Sequence, residues 1–323
     1  MSILVVGSVA YDSVITPAGR REDSLGGSAT YFSISGGRFA QVHMVAVVGE
    51  DFREDHVTLL RHHQLDLSGL TTLPGKTFRW SAEYHMDNVN SRTTLDTQLN
   101  VFVDFKPELS SDQRRQPYLF LANIDPELQL NVLEQMEERP KLVAIDTMNL
   151  WIESKPEALA EVIKRVDVVF MDENEVRMFA APHTGSASVM KAAHYLLDLG
   201  PRMAVVKRGD HGVVQFTRDS VFAAPAFPVE SVKDPTGAGD SFAGGFMGYL
   251  AYSNDLSDQG FRRASVLGSV MGSFAVEDFS VDRLHTLNRA EATARFRALS
   301  DMIRFNPLEE TEVLAWREGV IFG

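Results

Sequence analysis

Six short apolar runs constrain this chain more than anything else in it. They occupy residues 3–6, 44–48, 118–122, 142–145, 166–171 and 203–206, with hardly a polar residue inside them. A strand with one wet face alternates polar and apolar side chains, whereas a strand covered on both faces need not. The runs are too short for buried helices. Segments with helical periodicity lie between them, such as 51–64 and 189–199. Strands alternating with helices imply a mostly parallel sheet sandwiched between two helical layers. Open sheets of this kind gather ligands beyond the carboxyl ends of their strands. Residues just after each run are therefore the first candidates for function. They include Asp12, Asp172, Glu175 and Lys207.

Composition narrows the field. At 323 residues the chain exceeds one average domain, yet α/β folds of this size often form a single unit. The expectation is one domain over 1–323. The 44% apolar content suffices for a large core. With 31 basic and 44 acidic residues the net charge is -13, which argues against nucleic-acid backbone binding. Any phosphate site must be assembled locally, from backbone N–H groups and a few cations. Cysteine is absent, which removes disulfides, thiol nucleophiles and Cys-ligated metals and makes an intracellular location the default. The first residues lack the basic region of a signal peptide. No window approaches ~18 uninterrupted apolar residues. A soluble, cytoplasmic protein without a membrane partner is expected.

Residues 234–242, Asp-Pro-Thr-Gly-Ala-Gly-Asp-Ser-Phe, carry the most chemistry. Asp234, Pro235 and Thr236 read as a turn. Phe242, Phe246, Tyr249 and Leu250 come after them at helical spacing, so Gly237, Ala238 and Gly239 open a helix. The first N–H groups of a helix lack internal partners, and its dipole is positive there. Residues with almost no side chain let a bulky oxyanion reach those groups. Asp240 places a carboxylate beside this anion site. Anion binding alone would not ask for it. A reaction would, if a phosphoryl group sits on the N–H groups while the acid faces a hydroxyl that loses its proton. The plain structural alternative is an ordinary first-turn Asp. Gly26 and Gly27 open a second helix in the same way, led by Ser28, with Tyr31 and Phe32 in its first turns.

Gly75-Lys76-Thr77 imitates a phosphate-binding loop, but Leu70 stands where that loop requires Gly. The next residues alternate: Phe78, Trp80, Ala82, Tyr84, Met86, a strand rather than a helix. Residues 92–103 read as the returning strand, with Leu95, Leu99, Val101 and Val103 at mostly even spacing. Such a hairpin inserted in an α/β chain reads as a small sheet covering the site, a job that aromatics exposed on one face would suit. His62 and His63 are expected on a solvated helix face. The tail at 304–323 is expected to dock at the edge of the domain.

Taken together, the 234–242 string, the Gly26-Gly27 element and Asp12 resemble the ribokinase, or PfkB-type, carbohydrate kinase family. The resemblance spans residues 3 to about 285. It implies a ribokinase-like fold with a β lid, formed here by about 12–25 and 75–103, which often also pairs subunits into a homodimer. It implies an ATP-dependent kinase acting on a hydroxymethyl group of a sugar or a nucleoside. Asp240 would be the base, with Gly237, Ala238 and Gly239 as the anion hole. Asp12, Gly26 and Gly27 would hold the substrate. Lys207, Gly209, Gly212 and Thr236 would contact the nucleotide, whose base lies on the small-residue helix 261–276. Glu175 and Asp172 would position Mg2+, and Asp234 a monovalent cation such as K+, as in some members. Two positions depart from the family pattern. Tyr31 stands where Asn is common, and Asp172 where the metal motif has Asn. They leave open a nucleotide-binding protein without chemistry. A dinucleotide oxidoreductase would need G-x-G-x-x-G after the first strand, and none is there.

Overall fold

The apolar runs become the inner strands of a nine-stranded sheet. The structure, a computed structural model, describes residues 1–85 and 88–304, without the side chains of 88–90. The strands are β1 (Ser2–Val6), β2 (Ala10–Thr16), β3 (Gly19–Gly26), β4 (Gln41–Gly49), β5 (Asp66–Leu73), β6 (Phe78–His85), β7 (Asn88–Gln98), β8 (Tyr118–Leu121), β9 (Leu142–Asp146), β10 (Val168–Asp172), β11 (Met203–Lys207), β12 (Val213–Phe216) and β13 (Val221–Ala224). The helices are α1 (Ser28–Gly36), α2 (Glu54–His62), α3 (Pro126–Gln135), α4 (Asn149–Ser154), α5 (Pro156–Ile163), α6 (Glu173–Thr184), α7 (Val189–Leu199), α8 (Ala238–Ser253), α9 (Asp258–Ala275), α10 (Asp282–Thr286) and α11 (Arg289–Met302).

The large sheet runs β13-β12-β11-β10-β9-β8-β1-β4-β5. It is parallel from β11 to β5, and β12 alone is reversed, pairing antiparallel with both β11 and β13. Successive side chains of each strand point to opposite faces. Ile3, Val5, Phe120, Ala144 and Phe170 pack against α1, α8 and α9. Leu4, Val6, Leu121, Ile145 and Met171 enter a second core with α3, α5, α6 and α7. These two cores make the three layers, and they explain why the runs lack alternation.

The second sheet has the order β3-β2-β6-β7. Here β2 pairs antiparallel with β3 and parallel with β6, and β6 pairs antiparallel with β7. The hairpin departs from the sequence expectation in two ways. Strand β7 stops at Gln98, and Asn100–Asp104 is a 3-10 helix that buries Val101 in the second core. Among the described side chains, the exposed large hydrophobic ones from β7 through that helix are aliphatic, Leu95, Leu99 and Val103, while Tyr84 is buried. His63 is also buried rather than solvated, because its Nε2 meets His285 Nδ1 at 2.9 Å. Strands β5 and β13 carry weaker apolar patterns and lie at the two edges of the large sheet. Met86 and the docking of the tail at 305–323 lie outside the described residues. Among the described residues no helix is long and apolar enough to cross a membrane.

Candidate active site

Helix α8 begins as its sequence demands. Gly237 is its N-cap at φ 72°, in the left-handed region that favours glycine, and no side chain caps the helix. The helical ladder starts with Ser241 N–H donating to Gly237 O at 2.8 Å. Ala238 N–H turns back to Pro235 O at 3.2 Å. That leaves the N–H groups of Gly239 and Asp240 ahead of the ladder, in the positive first turn. The small residues also serve a purpose the sequence does not reveal. A methyl at Gly237 would collide with the ring of Tyr31, and one at Gly239 would stand 3.1 Å from Lys207 Nζ. The helix start is therefore floored by an aromatic ring and flanked by an ammonium.

Asp240 sits in this turn, part-buried. Burial first, and then the charge of Asp146, push its carboxyl up to about 7. Lys207, its own backbone N–H and Arg92 of β7 act the other way. Among the described residues no cation bonds Asp240 directly. Lys207 is instead bonded to Asp146, with Nζ 2.6 Å from Oδ2. Asp146 is only 3% exposed, and its Oδ1 accepts from Thr147 N–H at 2.9 Å. Burial alone would lower the Lys207 ammonium. The carboxylates of Asp146 and Glu175 outweigh it and hold Lys207 above its ordinary value, so the side chain stays charged. Lys207 thus belongs to the start of α8 as well as to the loop after β11, where its sequence position put it.

Asp12, expected in a loop after β1, lies on β2. It is 6% exposed, and the nearby N–H of Gly27 favours its charged form. A methyl at Gly26 would collide with that carboxylate, and one at Gly27 would approach Ser8 O to 2.5 Å. Gly27 has φ 96°. Both glycines are needed by the protein's own packing, whatever ligand comes near. Burial, and then the charge of Asp234, push Asp12 up to about 8, and Asp240 adds to the shift. Tyr31 is 1% exposed, and its phenol oxygen has no partner among the described residues. Burial first and then Asp234, Asp12, Tyr84 and Asp240 raise it. Tyr31 therefore lies within electrostatic reach of those groups, and its buried ring is closed to stacking with a ligand base. Asp234 accepts the N–H groups of Thr236 at 2.9 Å and Ser280 at 3.2 Å. The Thr236 hydroxyl donates to Tyr84 Oη at 3.0 Å, which ties β6 of the small sheet to the turn before α8.

At the neighbouring strand end, Asp172 and Glu175 form a capping box on α6. Asp172 Oδ1 accepts from the N–H groups of Asn174 and Glu175 at 2.7 and 2.8 Å, and Glu175 Oε2 accepts from Asp172 N–H at 2.6 Å. One oxygen of each carboxylate carries none of these bonds. Burial, then the charge of Asp172, push Glu175 up to about 8. A hard cation bound by one or two carboxylates plus phosphate and water suits such a pair and would relieve its repulsion. The loop after β11 is a tight turn: Arg208 N–H donates to Gly212 O at 2.8 Å, and Gly209 and Gly212 have φ 56° and 89°. Its Arg208 is paired with Glu173 at 2.6 Å. The imitation phosphate loop is a structural corner, with Thr77 N–H and hydroxyl both donating to Asp51 at 2.7 Å.

The expected residues Asp12, Tyr31, Thr236, Gly237, Gly239, Asp240 and Lys207 therefore converge. Asp146, Tyr84 and Arg92 were missed. Asp146 did carry a signal, an acid directly after a buried run. Tyr84 and Arg92 face one another across β6 and β7 and carried none.

The model of the pfkB family carbohydrate kinases matches residues 2–282. A cytidine kinase of Thermococcus kodakarensis is 34% identical over 292 residues, covering 85% of this chain and 99% of that protein. A nucleoside kinase of Methanothermobacter thermautotrophicus is 24% identical, over 92% of this chain and 96% of its own length. The structure of a Burkholderia thailandensis nucleoside kinase in complex with inosine superposes with a TM-score of 0.75 at 19% identity, covering 94% of this chain and all of that one.

Proposed function

The chain belongs to the pfkB family of carbohydrate kinases, phosphotransferases with an alcohol group as acceptor, and from that premise we propose that its acceptor is the ribose hydroxymethyl group of a nucleoside. The observation that carries the chemistry is Asp240: an acid free of direct cation bonds, beside the open N–H groups of α8, with Lys207 on one side and Asp12 across the pocket. The acceptor hydroxyl lies between Asp12 and Asp240. As it attacks the γ-phosphorus of ATP, the oxygen–phosphorus bond forms, the bond to the ADP oxygen breaks, and Asp240 takes the hydroxyl proton. A loose transition state asks for that proton late. The N–H groups of Gly239 and Asp240, with Lys207, stabilise the charge on the transferring oxygens. Asp172 and Glu175 are the residues that would hold Mg2+, which neutralises triphosphate charge when bound. Gly209 and Gly212 shape the nucleotide loop. Asp234 already accepts two N–H groups, and a monovalent cation there would have to share its oxygens with them.

Tyr31 and Thr236 close the pocket rather than line a wide opening, and the small sheet acts as its lid through Tyr84. A nucleoside rather than a free sugar is favoured by the cytidine and nucleoside kinase relatives. Trp80 on the lid, part-buried with Arg92 5.7 Å from its ring centre, offers a surface for a base. Turnover of ATP over a panel of nucleosides and free sugars tests this. Cytidine or a purine nucleoside should have a higher kcat/KM than any sugar, and a preference for a sugar favours the other acceptor. The exposed Leu95 (52%) and Leu99 (44%) on β7 and just after it are the dimer surface of this reading. Light scattering should give twice the chain mass, and a monomer at assay concentration removes the dimer.

A further inference from the structure

Lys207 stands among carboxylates that compete for it. Asp146, Glu175 and Asp240 all lie within electrostatic reach of its ammonium. Among the described residues only Asp146 holds it directly, at 2.6 Å. That bond is anchored on the backbone. Asp146 ends β9, its Oδ1 takes Thr147 N–H, and its carbonyl takes the Gln129 amide at 3.2 Å. The same Gln129 amide bonds Ala122 O at 2.8 Å, so the ends of β8 and β9 are clamped together. Lys207 ends β11, two strands away. The pair therefore spans β10, reaching from the clamped end of β9 to the end of β11, and brings the ammonium to Gly239 at the start of α8.

We infer that Asp146 is a positioning residue for phosphoryl transfer: it holds the Lys207 ammonium against the first turn of α8 and off Asp240. The inference rests on the kinase reading above. The physical reason is competition. A buried ammonium pairs with whatever carboxylate is nearest, because leaving either charge unpaired is strongly destabilising. Without Asp146, the remaining partners are Asp240 and Glu175. An ion pair with Asp240 would block the acid that receives the hydroxyl proton and would draw the cation away from the transferring oxygens. Asp146 thus keeps two opposite charges usable within one pocket.

The test is a double-mutant cycle on the full chain with ATP, Mg2+ and the best acceptor from the panel. Asp146→Asn keeps shape and Oδ1 but removes the charge. Its kcat should fall roughly 100-fold, the cost of one misplaced donor to a transferring group, while KM for the acceptor changes less than about threefold. Lys207→Met should fall similarly. The double variant should be no slower than Lys207→Met alone, because a positioning residue has nothing left to position. Losses that multiply, or an Asp146→Asn enzyme within about threefold of wild type, overturn the inference. Should Asp146→Asn fail to unfold cooperatively, Asp146→Glu is read instead. It keeps the charge and displaces the ammonium by one methylene, so kcat should fall at least about fivefold, and wild-type kcat overturns the inference. A wild-type chain that turns over no acceptor defeats the kinase reading itself, which is a separate result.

Discussion

Helices α6 and α8 begin at the same edge of the large sheet, each with acid in its first turn, and they use that acid in opposite ways. At α6 the acids serve the helix. Asp172 and Glu175 consume the orphan N–H groups in a reciprocal box, so little of the helix start remains for a ligand. At α8 no side chain caps the helix. Gly237 bends the chain into the turn, Tyr31 floors it, and the N–H groups of Gly239 and Asp240 stay available. The same residue type at the same kind of place is a cap in one case and a candidate base in the other. What separates them is whether the residue three positions earlier can accept a hydrogen bond through its side chain. Asp172 can, and Gly237 cannot.

Three experiments break or sharpen that contrast. The largest effect is expected from Asp240→Asn. Its kcat should fall by about 10³-fold, within the usual range for a positioned base, while the Kd of ADP by calorimetry stays within about twofold. Near wild-type turnover would make α8 an ordinary helix start. Next is pH. With the Asp240 carboxyl near 7, the active basic form is lost as pH falls, so kcat/KM for the acceptor should drop about tenfold for each pH unit below about 6. The groups facing Asp240 are Asp146 from β9, Lys207 from β11, Arg92 from β7, Asp12 from β2 and Tyr31 from α1. A flat profile from about pH 5 to about pH 8 would mean that protonation of Asp240 is irrelevant.

The smallest effect is on stability, at α6. Glu175 has its folded value raised from 4.5 to about 8. The stability it contributes is fully present below about 4.5 and is lost as pH rises through about 8. Glu175→Gln keeps an oxygen for the cap and removes the charge. It should therefore raise the Tm of the metal-free protein by about 5 °C at about pH 8 and leave it unchanged near about pH 4, read by scanning calorimetry. A variant that is less stable at both values would show that the acid at α6 matters through the cap alone.

Much of this molecule was legible before any coordinates. The six runs became buried strands because a segment covered on both faces shows it in its own composition. The opening of α8 was readable because a glycine at positive φ and small residues in a first turn are local requirements. Asp240 was readable because it is their neighbour. The small sheet was half legible: alternation revealed β6, but it extended β7 too far, since even spacing continues through Val101 and Val103 after the backbone has turned into a 3-10 helix.

Sequence alone determined which segments are strands and helices, and where bare peptide donors meet an acid, because those properties depend on residues within a few positions of one another. Only the tertiary structure decided that Tyr31 lies under Gly237, that Thr236 bonds Tyr84, that His63 is buried on His285, and above all that Lys207 is held by Asp146 rather than by Asp240. Each of these joins residues far apart in the chain. Their meeting depends on parallel register across several strands and on two helices packing on one face of the sheet, and no local pattern records either.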